Sequence, residues 1–168
     1  MSQASFELHS KVDEDGFVAV VCPDEYSGYI GENWTLQQVL VLFTEQMSNG
    51  TLFSVCTGPD LADMPLRIAD APSKPNAQRE VSGFLRVHDG GAWLTDYGQL
   101  TMAAQFSDER PLSPLHIRLP LPPGEYRATL RQFALSYEDR VEPAAELVIS
   151  SADPGDSPSK FDALPWFN

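Results

Sequence analysis

The sequence predicts a mainly β, single-domain antiparallel β-sandwich with at most one short helix, and three observations carry that prediction. Apolar stretches of strand length recur at intervals of about ten residues, with Gly, Pro, Asp and Asn between them, the spacing of a sandwich. Several of these stretches alternate apolar and polar residues, which buries one face of a strand and wets the other. The chain has 168 residues, 42% of them apolar, enough for a core that stands without metal or disulfide support.

The elements follow in order. Phe6 and Leu8 open a first strand, and Asp13-Glu14-Asp15-Gly16 reads as a tight turn. Its Asp-Gly pair before the Val-rich run Phe17 to Cys22 is a hairpin signal. Pro23 to Gly31 is a polar loop. Residues 34–50 admit two readings. Thr35 and Gln38 fit a capping box, with Trp34 and Val39 as a hydrophobic staple, and Leu36, Val39, Leu40, Phe43 and Met47 follow helical spacing. These predict a helix over about 35–48. Against it, Val39 to Phe43 is an unbroken apolar run and Asn49-Gly50 is a hairpin dipeptide leading into the strand Thr51 to Val55.

From Gly58 to Gln78 prolines are dense, which predicts a long loop interrupted by a short strand at Pro65 to Ile68. Strands resume at Val81 to Val87, turn at His88-Asp89-Gly90-Gly91, and continue through Ala92 to Leu94 and Leu100 to Phe106. Ile117, Leu119 and Leu121 alternate with polar or proline positions, as do Tyr126, Ala128 and Leu130 beyond Pro122-Pro123-Gly124. That pattern predicts two half-buried strands joined by a turn. Glu146 to Ile149 forms the last strand of a domain spanning 1–150. Residues 151–168 are a Pro-, Asp- and Ser-rich tail whose Phe161, Leu164, Trp166 and Phe167 are expected to pack back on the domain or meet a partner.

Charge narrows the function. Asp and Glu number 24 against 11 Lys and Arg, for a net charge of -13. Such a field repels phosphate backbones and anionic lipid, so it argues against direct nucleic-acid or membrane binding and draws a basic partner. The N-terminus has no cationic start or apolar signal core, and no run spans a bilayer, so the expected location is cytoplasmic.

Catalytic and metal-binding patterns are not found. His9, His88 and His116 have no zinc spacing to one another or to Cys22 and Cys56, which read as buried free thiols. Asp13 to Gly16 lacks the rest of a calcium loop. Adjacent carboxylates on a strand point to opposite faces and do not converge on one substrate. No catalytic residue, metal or other cofactor is therefore expected. The positive signal is acidic loop tips: Asp13, Glu14, Asp24, Glu25, Asp60, Asp63, Asp108, Glu109, Glu138 and Asp139. Sandwich loops cluster at the ends of the fold, so several of these residues can share one partner-binding face.

Two segments resemble a known family. EVSGFLRVHDGGAWLTD, followed some twenty residues later by LPLPPGEYRATLRQF, is similar to the second half of the DNA-entry nuclease inhibitors, the competence protein J family; Trp34-Thr35 matches an earlier Trp-Thr pair. The resemblance covers residues 34–135 in pieces. The chain departs from it by a longer Pro-rich loop at 58–78 and by its tail. The resemblance implies a small β-rich protein that binds and inhibits a DNA-degrading nuclease. With the charge, it leads to one expectation: an acidic inhibitor or immunity-type protein whose loop carboxylates occupy the positions of substrate phosphates. The rival readings are an enzyme using His88 and Asp89 or His116, and a ligand-binding sandwich with Trp93, Tyr97 and Tyr26 as an aromatic platform.

Overall fold

The computed structural model describes residues 5–139 and 141–167. Among these residues nine strands form two sheets that share one core. They are β1 (Glu7–Lys11), β2 (Phe17–Val21), β3 (Leu52–Cys56), β4 (Pro65–Ala69), β5 (Arg79–Val87), β6 (Trp93–Thr95), β7 (Ile117–Arg118), β8 (Gly124–Gln132) and β9 (Ala145–Ser151). The larger sheet has the order β1-β4-β9-β8-β5 and the smaller β3-β2-β6-β7. The fold is mainly β, as expected. The sheets touch where β5 crosses β3, and only glycine fits there: a Cβ on Gly83 would stand 2.4 Å from the Phe53 ring.

The ambiguous segment is a helix, α1 (Leu36–Ser48). Both bonds of its capping box are made: the Gln38 amide donates to Thr35 Oγ1 at 3.2 Å, and the Thr35 amide donates to Gln38 Oε1 at 2.8 Å. Val39, Phe43 and Met47 put one stripe of the helix into the core. Asn49 serves as C-cap and Gly50 follows at φ 78°, so this pair ends a helix and turns no hairpin.

Four expectations need correction. The strand expected at Leu100 to Phe106 is mostly a second helix, α2 (Tyr97–Gln105), with Asp96 as N-cap accepting the Gln99 amide at 2.7 Å. Leu100, Ala103 and Ala104 are buried at helical spacing. The sandwich is not wholly antiparallel, because β4 and β9 pair in parallel. The Asp13 to Gly16 turn joins no hairpin: β1 pairs with β4 in one sheet, and β2 pairs with β3 and β6 in the other. Pro122-Pro123-Gly124 likewise carries the chain from β7 in the smaller sheet to β8 in the larger. Proline has no amide hydrogen for a ladder, so Pro120, Pro122 and Pro123 end β7 after two residues. Leu119 and Leu121 are buried beneath this crossing, and the Tyr126 hydroxyl locks it by donating to the Pro122 carbonyl at 2.6 Å.

A row of alternating charge crosses the larger sheet on the face away from the shared core. Arg67, Glu146, Arg131 and Glu80 are successive register partners on β4, β9, β8 and β5, and Glu7 on β1 extends the row through Arg67. Glu146 is 0% exposed. It accepts from Arg67 Nη1 at 2.8 Å, Arg131 Nη1 at 2.6 Å and both the amide and hydroxyl of Ser73. The second half of the Pro-rich loop therefore lies over this row as a lid, held also by Arg67 to the Ala71 carbonyl and Arg131 to the Lys74 carbonyl.

The C-terminal segment packs back. Leu164 is buried, the Phe161 amide donates to Ser48 Oγ, the Cys56 amide donates to the Pro165 carbonyl, and the Arg79 guanidinium sits 4.0 Å from the centre of the Trp166 ring. These contacts close the seam between β3 and β5. Cys22 is buried, and burial pushes its thiol up to about 12; Cys56, read as buried, is partly exposed at the end of β3.

Candidate functional site

On the side opposite the closed seam, the edges of the two sheets diverge around a cleft of about 360 Å³. Ser10 to Asp15 and Asp63 form one wall; Leu94 to Asp96, Gly98 and Leu115 to Ile117 form the other. Five carboxylates line it: Asp13, Glu14, Asp15, Asp63 and Asp96.

These carboxylates differ in how they are held. Asp13 accepts three backbone amides, those of Asp15 at 2.9 Å, Phe17 at 2.8 Å and Tyr97 at 2.8 Å. Burial pushes its carboxyl above the ordinary value, against the pull of those amides. Asp13 thus organises the crossing from β1 to β2 and ties it to the start of α2. Asp96 caps α2 and also meets His116, with its Oδ2 3.0 Å from His116 Nε2. His116 Nδ1 accepts the Ser113 amide at 2.8 Å, so the ring proton sits on Nε2 and is donated to Asp96. Both ring nitrogens are occupied in holding a loop.

What that loop displays is Leu115, 94% exposed, beside the partly exposed Ile117. Leu115 is the most exposed large apolar side chain among the described residues, and it stands at the mouth of an acidic cleft. Glu14, Asp15 and Asp63 are exposed, and among the described residues they form no ion pair. Asp63 has φ 62°, a left-handed conformation that Asp tolerates better than most residues. Among the described residues Lys11 is the one Lys or Arg in the lining.

Of the residues read as acidic loop tips, the structure brings Asp13, Glu14 and Asp63 together. Asp24 and Glu25 lie elsewhere: Asp24 accepts the Gly90 amide at 2.7 Å, and Glu25 Oε1 is 3.4 Å from His88 Nε2. Asp60 is exposed in the 3-10 turn Pro59–Leu61. Asp108 is exposed, and Gln99 Nε2 lies 3.4 Å from Glu109 Oε2. Glu138 is exposed, while Asp139 closes its own turn by accepting the Leu135 amide. Sequence reasoning missed Asp96, Leu115 and Ile117 as lining residues. Asp96 carried a usable signal as an N-cap before Gln99; Leu115, between Pro114 and His116, carried none.

The aromatic platform does not assemble in this structure. Tyr97 stacks on Phe17 at 4.6 Å between centroids, Trp93 donates its indole hydrogen to the Gly90 carbonyl, and Tyr26 packs against the core. These rings are spent on packing. Among the described residues no group of three or more His, Cys, Asp or Glu side chains is placed to hold a metal ion. No helix among them is long and apolar enough to cross a membrane.

No family model matches the chain, and no curated protein matches it. Solved structures do. "Crocagin biosynthetic gene J" aligns with a TM-score of 0.52 at 12% identity, over 89% of this chain and 97% of that one. ComJ from Bacillus subtilis, an inhibitor of the DNA degrading activity of NucA, aligns with a TM-score of 0.44 at 15% identity, over 91% of this chain and 98% of that one. At such identities the likeness is one of fold, and this chain shares its fold with the crocagin protein over nearly the whole of both.

Proposed function

We propose that the chain is an acidic protein-binding module, an inhibitor or immunity-type protein that occludes the basic active site of a nuclease. The observation that carries this reading is the cleft, where the unpaired carboxylates Glu14, Asp15 and Asp63 stand beside the exposed Leu115. A nuclease holds its substrate by cationic groups aimed at phosphates, and spaced carboxylates answer that arrangement charge for charge. Leu115, inserted into an apolar recess of the partner, supplies the desolvated centre that charge alone does not. The sequence resemblance to the DNA-entry nuclease inhibitors points the same way. An enzymatic reading is weaker, because the histidine in the cleft has both nitrogens committed to its loop.

The experiment is a pull-down of the tagged full chain from native lysate, followed by mass spectrometry and a DNA-cleavage assay. The expected result is one stoichiometric basic protein whose cleavage of DNA falls as the chain is added. A captured partner with no nuclease activity, or no stoichiometric partner, contradicts the proposal.

A further inference from the structure

β1 forms one edge of the larger sheet and pairs with β4 alone. Its register decides where its backbone groups point. The Asp70 amide donates to the Phe6 carbonyl at 3.3 Å and the Val12 amide to the Met64 carbonyl at 3.0 Å, in phase with the pairing of Glu7 to Ala69 and Lys11 to Pro65. Hydrogen-bonded and non-bonded positions alternate along an antiparallel pair. Leu8 and Ser10 therefore bond to β4, while the amides and carbonyls of Glu7, His9 and Lys11 point away from it. Pro65 fits this phase, since it lacks an amide hydrogen and stands opposite Lys11 at a non-bonded position. Among the described residues no other group takes up these three amides and three carbonyls. The five residues hold one register and include no proline, so the edge lacks two devices that keep a further strand off. Its C-terminal end opens into the acidic cleft, which Ser10 and Lys11 help to line.

We infer that β1 receives an extended, basic segment of the partner protein as an added strand, which leads the cationic side chains of that segment to Glu14, Asp15 and Asp63. This rests on the reading of the cleft as the contact for a basic partner, and it supplies the backbone geometry of that contact. Two observations select the occupant. Open amides and carbonyls at every second residue are matched by another strand and not by a helix, because only extended backbone presents its own donors and acceptors at that spacing. The carboxylates at the end of the edge call for Lys or Arg in that strand. They also disfavour β1 of a second copy, since pairing two copies at this edge brings two acidic clefts together in a chain of net charge -13.

Solution NMR of the isotope-labelled full chain, titrated with an acetylated and amidated hexapeptide of alternating Lys and Val, tests the inference. Bound peptide should slow hydrogen exchange at the His9 and Lys11 amides and change little at the Ser10 amide, which β4 already holds. His9→Pro removes one outward donor without touching the β4 ladder and should weaken binding by about tenfold or more, while His9→Ala should bind as the wild type does. The same peptide with Glu in place of Lys should not bind. Should His9→Pro fail to fold, the exchange pattern of the wild type still decides. The inference is overturned by a Lys-Val peptide that does not bind at millimolar concentration, by binding that leaves the His9 and Lys11 amides exchanging freely, or by a folded His9→Pro that binds as tightly as wild type. Protection of those amides in the free chain that grows with its concentration also overturns it, because a second copy then takes the edge. No nuclease enters this assay, so its failure leaves nuclease capture untouched, and failed capture does not alter its outcome.

Discussion

Glu146→Ala is expected to cost about 3–5 kcal/mol of folding stability, read from the midpoint of urea unfolding. The side chain is fully buried between Arg67 and Arg131, and it holds the Ser73 amide and hydroxyl against the sheet. Its removal leaves two guanidinium groups facing each other across β9 without the intervening charge, and it releases the lid over them. Breaking such a network costs more than the network contributes against an apolar replacement, because the surviving charges stay desolvated. Burial pushes the Glu146 carboxyl up, but hydrogen bonds from Ser73, Arg131 and Arg67 together outweigh it and hold the group below its ordinary 4.5. A folded value below the unfolded one means this contribution is fully present above pH 4.5 and fades as pH falls through the lower, folded value. Wild-type stability should therefore drop on the acid side, and Glu146→Gln should flatten that drop. A loss under about 1 kcal/mol, the range of an exposed ion pair, would show that the row does not anchor the loop.

Leu115→Asp is expected to weaken partner binding by about 2 kcal/mol or more, roughly 30-fold in Kd, chiefly through faster dissociation. Stability should change by less than about 0.5 kcal/mol, since the side chain is almost fully in solvent. The loop itself should persist, because the Ser113 amide, His116 and Asp96 hold it from behind. Surface plasmon resonance with the captured partner, beside urea unfolding of the free chain, separates the two effects. Unchanged dissociation would remove Leu115 from the interface.

Local signals in this chain were legible wherever the deciding contacts are local. The capping box at Thr35 and Gln38 marks the start of α1 because its two bonds span three residues. Alternation along β8 reports which side chains face the core, since the pleat alone sets it. Alternation says nothing about which strand lies alongside. The turns at Asp13 to Gly16 and at Pro122 to Gly124 carry hairpin chemistry yet hand the chain to the other sheet, and the parallel pairing of Leu66 with Ala145 joins distant segments. The helix at Tyr97 to Gln105 was hidden because Leu100 to Phe106 reads equally as a short apolar run.

The same division explains the site. Composition and turn chemistry mark Glu14 and Asp63 as exposed acidic loop residues, but their convergence depends on the docking of β1 against β4. The Val12 amide donates to the Met64 carbonyl and the Asp63 amide to the Val12 carbonyl, which sets the two loops side by side. Leu115 joins them only because His116 reaches Asp96 at the start of α2. Such contacts between separate segments leave no mark on any window of residues read alone.

The association rate with the nuclease partner, followed by stopped flow across a range of salt concentrations, tests the central claim most directly. Exposed charges are screened over about 8 Å at physiological ionic strength, so the wild-type rate should be fast at low salt and fall steeply as salt rises. Glu14→Lys with Asp63→Lys should slow association by about tenfold or more and flatten that dependence. Asp108→Lys with Glu109→Lys changes net charge by the same amount outside the cleft lining and should change both less than the cleft pair does. Equal effects from the two pairs, or none from the cleft pair, would contradict the account.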